Sequence, residues 1–461
     1  SYEEVVKDKG YKNFSQTPLD IATEYSAADA HQTLQLMPIL QEELKKQKMD
    51  ILYTDIEFPL IHVLLKMEIE GIKCDKTILQ ELDIRISQDL KKTHTEIFSL
   101  IDDQFREINL NSPKQLEKLL FYELKLPPQK KNVKGTGYST DQEVLEELAK
   151  IHPVPALIVR YRTLFKLKTT YIDALPKFIN QKTGCIHTTF SQTRVATGRL
   201  ASLEPNLQNI PTDIPEYNLH IRTAFIPKDG YLFLSADYSQ IELRVLAYLS
   251  QDKKLIDAFT TGVDIHTQTA SGIFEIPIEQ VTKNQRQLGK RINFSILYGL
   301  TPYGLSKDLG ISFSNAKTYI EKFFAQYPGV QSWMEKVITE TKEQGFVSTL
   351  YGRRRSIPGI YEKNKQLYDL ARRVAINTCA QGTAAEIMKK GMIQLDHFFK
   401  EKKIDAKILL QIHDELLISV SKNKYQMIAD IVKEILEKVV TWNIPLEADI
   451  RIGKNWQEVT K

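Results

Sequence analysis

The chain has 461 residues, 42% hydrophobic and 26% charged, with 20 Gly and 18 Pro. These fractions exclude disordered, collagen-like and disulfide-scaffold classes, and the length implies about three domains. With 62 basic against 58 acidic side chains the net charge is only +4, so any nucleic-acid binding must come from local clusters of Lys and Arg. No apolar run approaches the roughly 18 residues of a membrane helix. The opening Ser1-Tyr2-Glu3-Glu4-Val5-Val6-Lys7 has no basic-then-apolar leader and no initiator methionine, as expected of a piece cut from a longer, non-exported chain. Cys74, Cys185 and Cys379 are too far apart for a zinc spacing and odd in number, which points to a reducing compartment.

In chain order, residues 19–48 read as a helix with acidic and basic faces. Over 76–101, Leu79, Leu82, Ile86, Leu90, Ile97 and Leu100 recur at helical spacing. A Pro/Gly/Lys-rich break covers 126–139, with four lysines between Lys125 and Lys134. Helical stretches follow at 141–151 and 155–172, the second crowded with Arg160, Arg162, Lys166 and Lys168. Long helices joined by a basic loop suit either an arm-like domain or an ordinary bundle. Beyond Pro176, residues 185–190 and 231–236 are β-prone. The second run ends in Asp237-Tyr238-Ser239 and passes into a helical pattern over 241–249. Residues 263–345 are helix-rich. The runs 407–412 and 416–420 read as a hairpin with His413-Asp414-Glu415 between them. A helix with Ile428, Ile431, Val432, Ile435, Leu436 and Val439 on one stripe follows. The run Arg353-Arg354-Arg355 reads, alone, as a solvated face.

The chemistry centres on Asp237 and Asp414. If their strands are neighbours, both carboxylates point into one cleft, where a pair can hold two Mg²⁺ roughly 3.5–4 Å apart for in-line phosphoryl transfer. Two aspartates suffice, because Mg²⁺ also takes substrate phosphate oxygens. Read alone, Asp-Tyr-Ser before a helix also suits a turn or a cap. Between the two aspartates, Thr282 and Gln285 form a capping-box pattern, and Tyr298-Gly299 with Pro302 forms a helix stop. On that helix Arg286, Lys290, Phe294 and Tyr298 sit four apart, a stripe drifting about 40° per step. Two cations followed by two aromatics suit the phosphates and base of a nucleotide; an ordinary amphipathic helix would read the same.

The conjunction is more specific than its parts. SADYSQIELR at 235–244, R-x3-K-x3-F-x3-Y-G at 286–299 and QIHDEL at 411–416 resemble, in order and spacing, motifs A, B and C of the family A DNA polymerases. TGRLAS at 197–202, PNLQNIP at 205–211, DIHTQTAS at 264–271, YGRRRSIPGI at 351–360 and RVAINTCAQGTAAE at 373–386 agree. Ile412 and Gly359 are slight departures that do not touch the chemistry.

The resemblance implies an α+β fold shaped as a right hand, with an antiparallel palm sheet and helical fingers and thumb. It implies a thumb over 74–180, a palm over 181–262 and 371–461, and fingers over 263–370. Residues 49–73 would connect into the palm. Asp237, Asp414 and the Tyr238 carbonyl match metal ligands for two Mg²⁺, and Glu415 matches an auxiliary carboxylate. His266, Arg286 and Lys290 match the triphosphate grip, with Lys290 also a proton donor to the leaving group. Phe294 would lie against sugar and base, Tyr298 near the templating position, and Gln240 and Glu242 beside the sugar. Arg199, Asn206, Gln208, Arg373, Asn377, Gln381 and His413 match residues reading primer and template. Arg162 and Lys166, with the loop 125–134, would hold duplex phosphates.

The expected activity is template-directed DNA synthesis on primer-template DNA from deoxynucleoside triphosphates, in replication and repair, by a monomer of the bacterial cytoplasm near the nucleoid, with no membrane partner. A single-subunit RNA polymerase would share the hand and the aspartates, but Glu242 opposes a 2′-hydroxyl. A non-catalytic relative would have lost Asp237, Asp414 or Lys290, and all are present. Finally, Tyr25-x3-Asp29 resembles the third motif of the family's 3′-5′ proofreading domain, while no Asp-x-Glu precedes it. Residues 1–48 are therefore expected to be the tail of such a domain, without working proofreading.

Overall fold

The computed structural model describes residues 2–105, 107–132, 137–212, 219–299 and 301–461. Helix α1 (Leu19–Lys46) buries none of its side chains. Helix α2 (Phe58–Glu70) leads into α3 (Lys76–Ser99), which Asp75 caps by accepting from the Thr77 amide at 2.8 Å. Helix α4 (Pro153–Leu167) packs back against α3. The expected single β-run at 185–190 is two short strands, Cys185–Ile186 against Ile72–Lys73 and Thr189–Ser191 against Ala201–Leu203.

Strand β1 (Tyr231–Tyr238) runs into helix α5 (Ile241–Ser250). Helices α6 (Ile265–Phe274) and α7 (Lys283–Leu297) follow, then the 37-residue α8 (Lys365–Glu401), about 55 Å long at 1.5 Å per residue. The chain closes with the hairpin β2 (Ala406–Ile412) and β3 (Glu415–Ser421), helix α9 (Tyr425–Glu437) and β4 (Ala448–Gly453). The sheet has the order β4-β1-β3-β2, every pair antiparallel. The strand that ends in Asp237 and the hairpin whose turn holds Asp414 are thus neighbours, as the cleft required.

Apolar side chains gather into three cores. One joins the inner face of the sheet (Leu234, Ala236, Leu416, Ile418) to α9 and to the second half of α8. A second gathers α5, α7 and the first half of α8 through Leu243, Ile292, Ile296, Ile376 and Ala380. A third, with Ile97, Leu119, Leu148 and Ile158, lies between the end of α3 and α4. Helices α3, α4, α5 and α8 each place side chains in two of these cores. The hand-off within α8 falls between Ala380 and Ala384.

Candidate active site

Alternation along β1 decides which way Asp237 points. Tyr238 is buried and donates its hydroxyl to the Leu436 carbonyl on α9 at 2.8 Å, so Asp237, one residue earlier, projects from the opposite face. The Tyr238 amide donates to the Asp414 carbonyl at 3.0 Å, tying the strand ends together. Gln240 (φ +54°) and His413 (φ +53°) both occupy the left-handed region. Non-glycine residues held there cost energy and cluster at functional sites; here they flank the two aspartates and turn the chain into α5 and across the hairpin. Burial raises the pKa of Asp237, and the charge of Asp414 adds to it. Burial likewise raises Asp414.

Opposite stands α7. Thr282 and Gln285 cap it reciprocally, at 2.9 and 3.3 Å, as their spacing predicted. Gly289 faces α6: a Cβ there would strike the His266 carbonyl. The absent side chain lets the helices close backbone to backbone, which brings His266 beside Arg286 and Lys290. His266 Nδ1 accepts from the Asn293 amide at 3.0 Å, while Asn293 accepts from the Thr269 hydroxyl at 2.9 Å. That leaves the ring proton on Nε2; the Gln240 side-chain nitrogen, 3.2 Å away, is itself a donor and does not accept it. Burial draws His266 down to about 4, so it is neutral at pH 7.

Arg286 forks onto Asp264 at 3.2 and 2.7 Å. Although burial opposes ionisation of Asp264, the bonds from Arg286 and Thr267 hold it at about 2. Lys290 is exposed and makes no ion pair among the described residues. Phe294 lies between His266 (centroids 5.9 Å) and Tyr298 (6.4 Å). Glu242 closes a triangle: one oxygen accepts from Arg199 at 2.5 Å, the other from the Tyr298 hydroxyl at 3.1 Å. Burial, with the Glu242 charge, pushes Tyr298 up to about 12.

Asp237, Tyr238, Gln240, Glu242, His266 and Arg286 line one cleft of about 680 Å³, together with Lys290, Phe294, Tyr298, Arg199, His413 and Asp414. Asp264 and Lys461 also line it. Sequence reasoning missed both as site residues. Asp264 carried a signal, an Asp-x-x-Thr cap opening DIHTQTAS; Lys461 carried none.

Other expected residues sit elsewhere. Glu415 is outside that lining: it accepts from the Ser235 hydroxyl at 2.7 Å, and burial raises its pKa. Arg373, Asn377 and Gln381 follow one another at helical spacing of four on α8. Arg373 Nε and Asn377 Oδ1 are buried without a hydrogen-bond partner among the described residues, an arrangement that suits a polar ligand. Asn206 caps a short turn by accepting from the Gln208 amide at 3.0 Å, and Gln208 donates to the Gln411 carbonyl at 3.0 Å; these clasp the loop to the hairpin. The Arg162 guanidinium donates to the Leu110 and Thr140 carbonyls at 3.0 and 2.8 Å, which anchors it beside α4 with its remaining donors uncommitted among the described residues. Lys166 is exposed. In the basic loop, Lys130 pairs with Asp141 and Glu143, and Lys134 lies outside the described residues.

A sequence model of DNA polymerase family A matches residues 76–458. The chain belongs to DNA polymerase family A. It is 43% identical over 420 residues to a DNA polymerase I of Geobacillus stearothermophilus, covering 91% of this chain and 47% of the relative. It is 44% identical over 405 residues to a thermostable DNA polymerase I of Thermus aquaticus, covering 88% of this chain and 48% of the relative. The chain spans about half the length of the curated relatives it matches. Among solved structures, it is similar to the polymerase domain of Pol1 from M. smegmatis in complex with DNA primer-template and dNTP. That match has a TM-score of 0.87 and 38% identity over 93% of this chain and 75% of the other. The mixed helix-and-sheet architecture is accordingly the right-hand fold of family A polymerases.

Among the described residues, no three His, Cys, Asp or Glu side chains converge into a ready metal cage. The donor set still fits Mg²⁺, which keeps waters and takes substrate phosphates beside one or two carboxylates. Asp237 already draws a cation: the Lys461 ammonium lies 3.2 Å from it. No helix among the described residues is long and apolar enough to cross a membrane.

Proposed function

We propose that this chain is a template-directed DNA polymerase, extending a primer 3′-hydroxyl with deoxynucleoside triphosphates in replication and repair. The observation that supports it most is the cleft: two aspartates at adjacent strand ends face a helix that offers cations and then aromatic rings. The primer-template and dNTP bound by the M. smegmatis relative are taken as the substrates here. In this reading the thumb is about 74–180, the palm 181–262 with 371–461, and the fingers 263–370. Residues 1–48 are the tail of a proofreading domain and 49–73 lead into the palm. The polymerase acts as a monomer in the bacterial cytoplasm.

Asp237, Asp414 and the Tyr238 carbonyl would hold two Mg²⁺, which supply activation of the attacking hydroxyl and neutralisation of the leaving pyrophosphate. The chain's own groups do the rest. Arg286, Lys290 and the Nε2–H of His266 bind the triphosphate, and Lys290 carries a proton toward the leaving oxygen. Phe294 packs on sugar and base; Glu242 bounds the space beside C2′; Tyr298 stands by the templating base. Arg199, Arg373, Asn377, Gln381 and His413 read the primer terminus, where minor-groove acceptors are alike for all pairs and report pair geometry without sequence choice. Closure of the fingers on a correct pair completes the grip.

Primer extension with Asp237→Ala and Asp414→Ala tests the reading. Both variants are expected to lose extension while retaining duplex binding. Near-normal extension by either would sink the two-metal assignment.

A further inference from the structure

The sheet register sets three carboxylates in a row: Asp449 on β4 and Glu415 on β3 each stand directly opposite Asp237 on β1. Directly opposed residues of antiparallel strands project from one face with Cβ atoms about 4.5–5.5 Å apart, and like charges there repel. Glu415 has its own partner, accepting from the Ser235 hydroxyl at 2.7 Å. The other two share one ammonium: Lys461 Nζ is 2.7 Å from Asp449 Oδ2 and 3.2 Å from Asp237 Oδ2. The Lys461 side chain is 53% exposed and Asp449 48%, while Asp237 is only 19% exposed.

The geometry points to Lys461 as a displaceable counter-ion of the metal cleft, and to Asp449 as the post that keeps it when the cleft fills. This rests on reading Asp237 as a metal ligand. A divalent cation on Asp237 and an ammonium at 3.2 Å from the same carboxylate repel each other, so the ammonium must leave. Because its shorter contact is to Asp449, it can leave Asp237 without returning fully to water; a flexible four-carbon stem permits the swing. Before metal arrives, the same ammonium offsets the repulsion between Asp237 and Asp414. Lys461 therefore competes with the metal, and Asp449 weakens that competition.

Mn²⁺ binding to the protein without DNA or nucleotide, followed through the electron paramagnetic signal of the free ion, tests this apart from catalysis. Lys461→Gln is expected to tighten Mn²⁺ binding about two- to fivefold, the range of a partly exposed ion pair. Asp449→Asn is expected to weaken it, by removing an anion and leaving Lys461 on Asp237 alone. In the double variant most of the Asp449→Asn effect should vanish. Unchanged or weaker binding by Lys461→Gln overturns the counter-ion role. An Asp449→Asn effect that persists undiminished without Lys461 makes Asp449 a mere fixed charge and overturns its part. Asp237→Asn separates the levels: if it binds Mn²⁺ like the wild type, the metal-ligand reading itself fails. If it loses binding while Lys461→Gln changes nothing, only the present proposal fails.

Discussion

Glu242→Ala is expected to admit ribonucleotides. Glu242 is buried, 7% exposed, and both oxygens are engaged, by Arg199 at 2.5 Å and by Tyr298 at 3.1 Å. A carboxylate pinned at both ends cannot rotate away from an added 2′-hydroxyl. Forcing extra atoms into a packed site costs about 1–3 kcal/mol, or roughly 5- to 150-fold in selectivity. The alanine variant should lose that factor in the ratio of kcat/KM for deoxy- over ribonucleotide. Each pin is a hydrogen bond to a charged group, about 1.5–3 kcal/mol. Tyr298→Phe releases one and should soften the gate without opening it. Glu242→Gln keeps the bulk and should keep most of the discrimination. Single-turnover extension with matched deoxy- and ribonucleotides gives the ratios. An unchanged ratio in Glu242→Ala would refute the reasoning, and a collapse in Glu242→Gln equal to that of alanine would replace bulk by charge as the cause.

Two further outcomes are expected. Burial, aided by Arg286 and Lys290, holds His266 near 4 against an ordinary 6.5. The unfolded chain therefore binds a proton that the folded one refuses between those values. Stability from this group is complete above pH 6.5 and falls as pH drops toward 4, by at most about 3 kcal/mol. Urea midpoints at pH 7 and about pH 4.5 should converge in His266→Gln relative to wild type, and equal slopes would exclude the effect. The Tyr25 ring lies tilted against Phe14, centroids 5.5 Å apart, and Asp29 is exposed, with no carboxylate cluster around it among the described residues. The 461-residue chain is expected to leave a 3′-mismatched, end-labelled primer intact in Mg²⁺ without nucleotides; shortening that disappears in Asp29→Ala would show a working nuclease.

Local chemistry was legible in the sequence wherever the cause was local. The Thr282–Gln285 box, the hairpin around His413-Asp414 and the long amphipathic helices depend on neighbours within a few residues, and spacing reports those directly. Motif resemblance then gathered most of the cleft. Pairing was not legible: nothing in the string ADIRIG says that Asp449 stands beside Asp237, because period-2 alternation fixes a face but not a partner. Partners far along the chain were not legible either. Arg162 donates to carbonyls 52 and 22 residues away. The run Arg353–Arg355, taken as a solvated face, is engaged throughout. Arg353 is ion-paired, Arg354 lies 4.4 Å over the Phe346 ring, and Arg355 donates to Thr378 at 3.1 Å.

That arginine run leads to a junction that explains two motif glycines. Arg353 bonds Glu386 at 3.0 Å and also Glu57, and Lys389 bonds Glu57 at 2.7 Å. Two cations face two carboxylates, with Lys389 and Glu386 almost wholly buried. Burial pushes Glu386 up to about 7, against the pull of Arg353. A buried cluster of this kind adds little net stability over apolar packing, but removing one member leaves an unpaired charge and costs about 3–5 kcal/mol. Its value here is positional. Gly198 sits at φ +83°, and a Cβ there would collide with the Arg353 guanidinium. A Cβ on Gly382 would meet Thr349 and the Thr197 carbonyl. The loop 197–199 is thus pressed between α8 and Arg353, with room for no side chain at 198. Arg199 comes next in the chain and reaches Glu242. The buried charges far from the cleft hold Arg353, Arg353 holds the loop, and the loop aims the guanidinium that pins Glu242. Gly198→Ala should therefore be felt at Glu242, although neither residue 198 nor Arg353 lines the cleft.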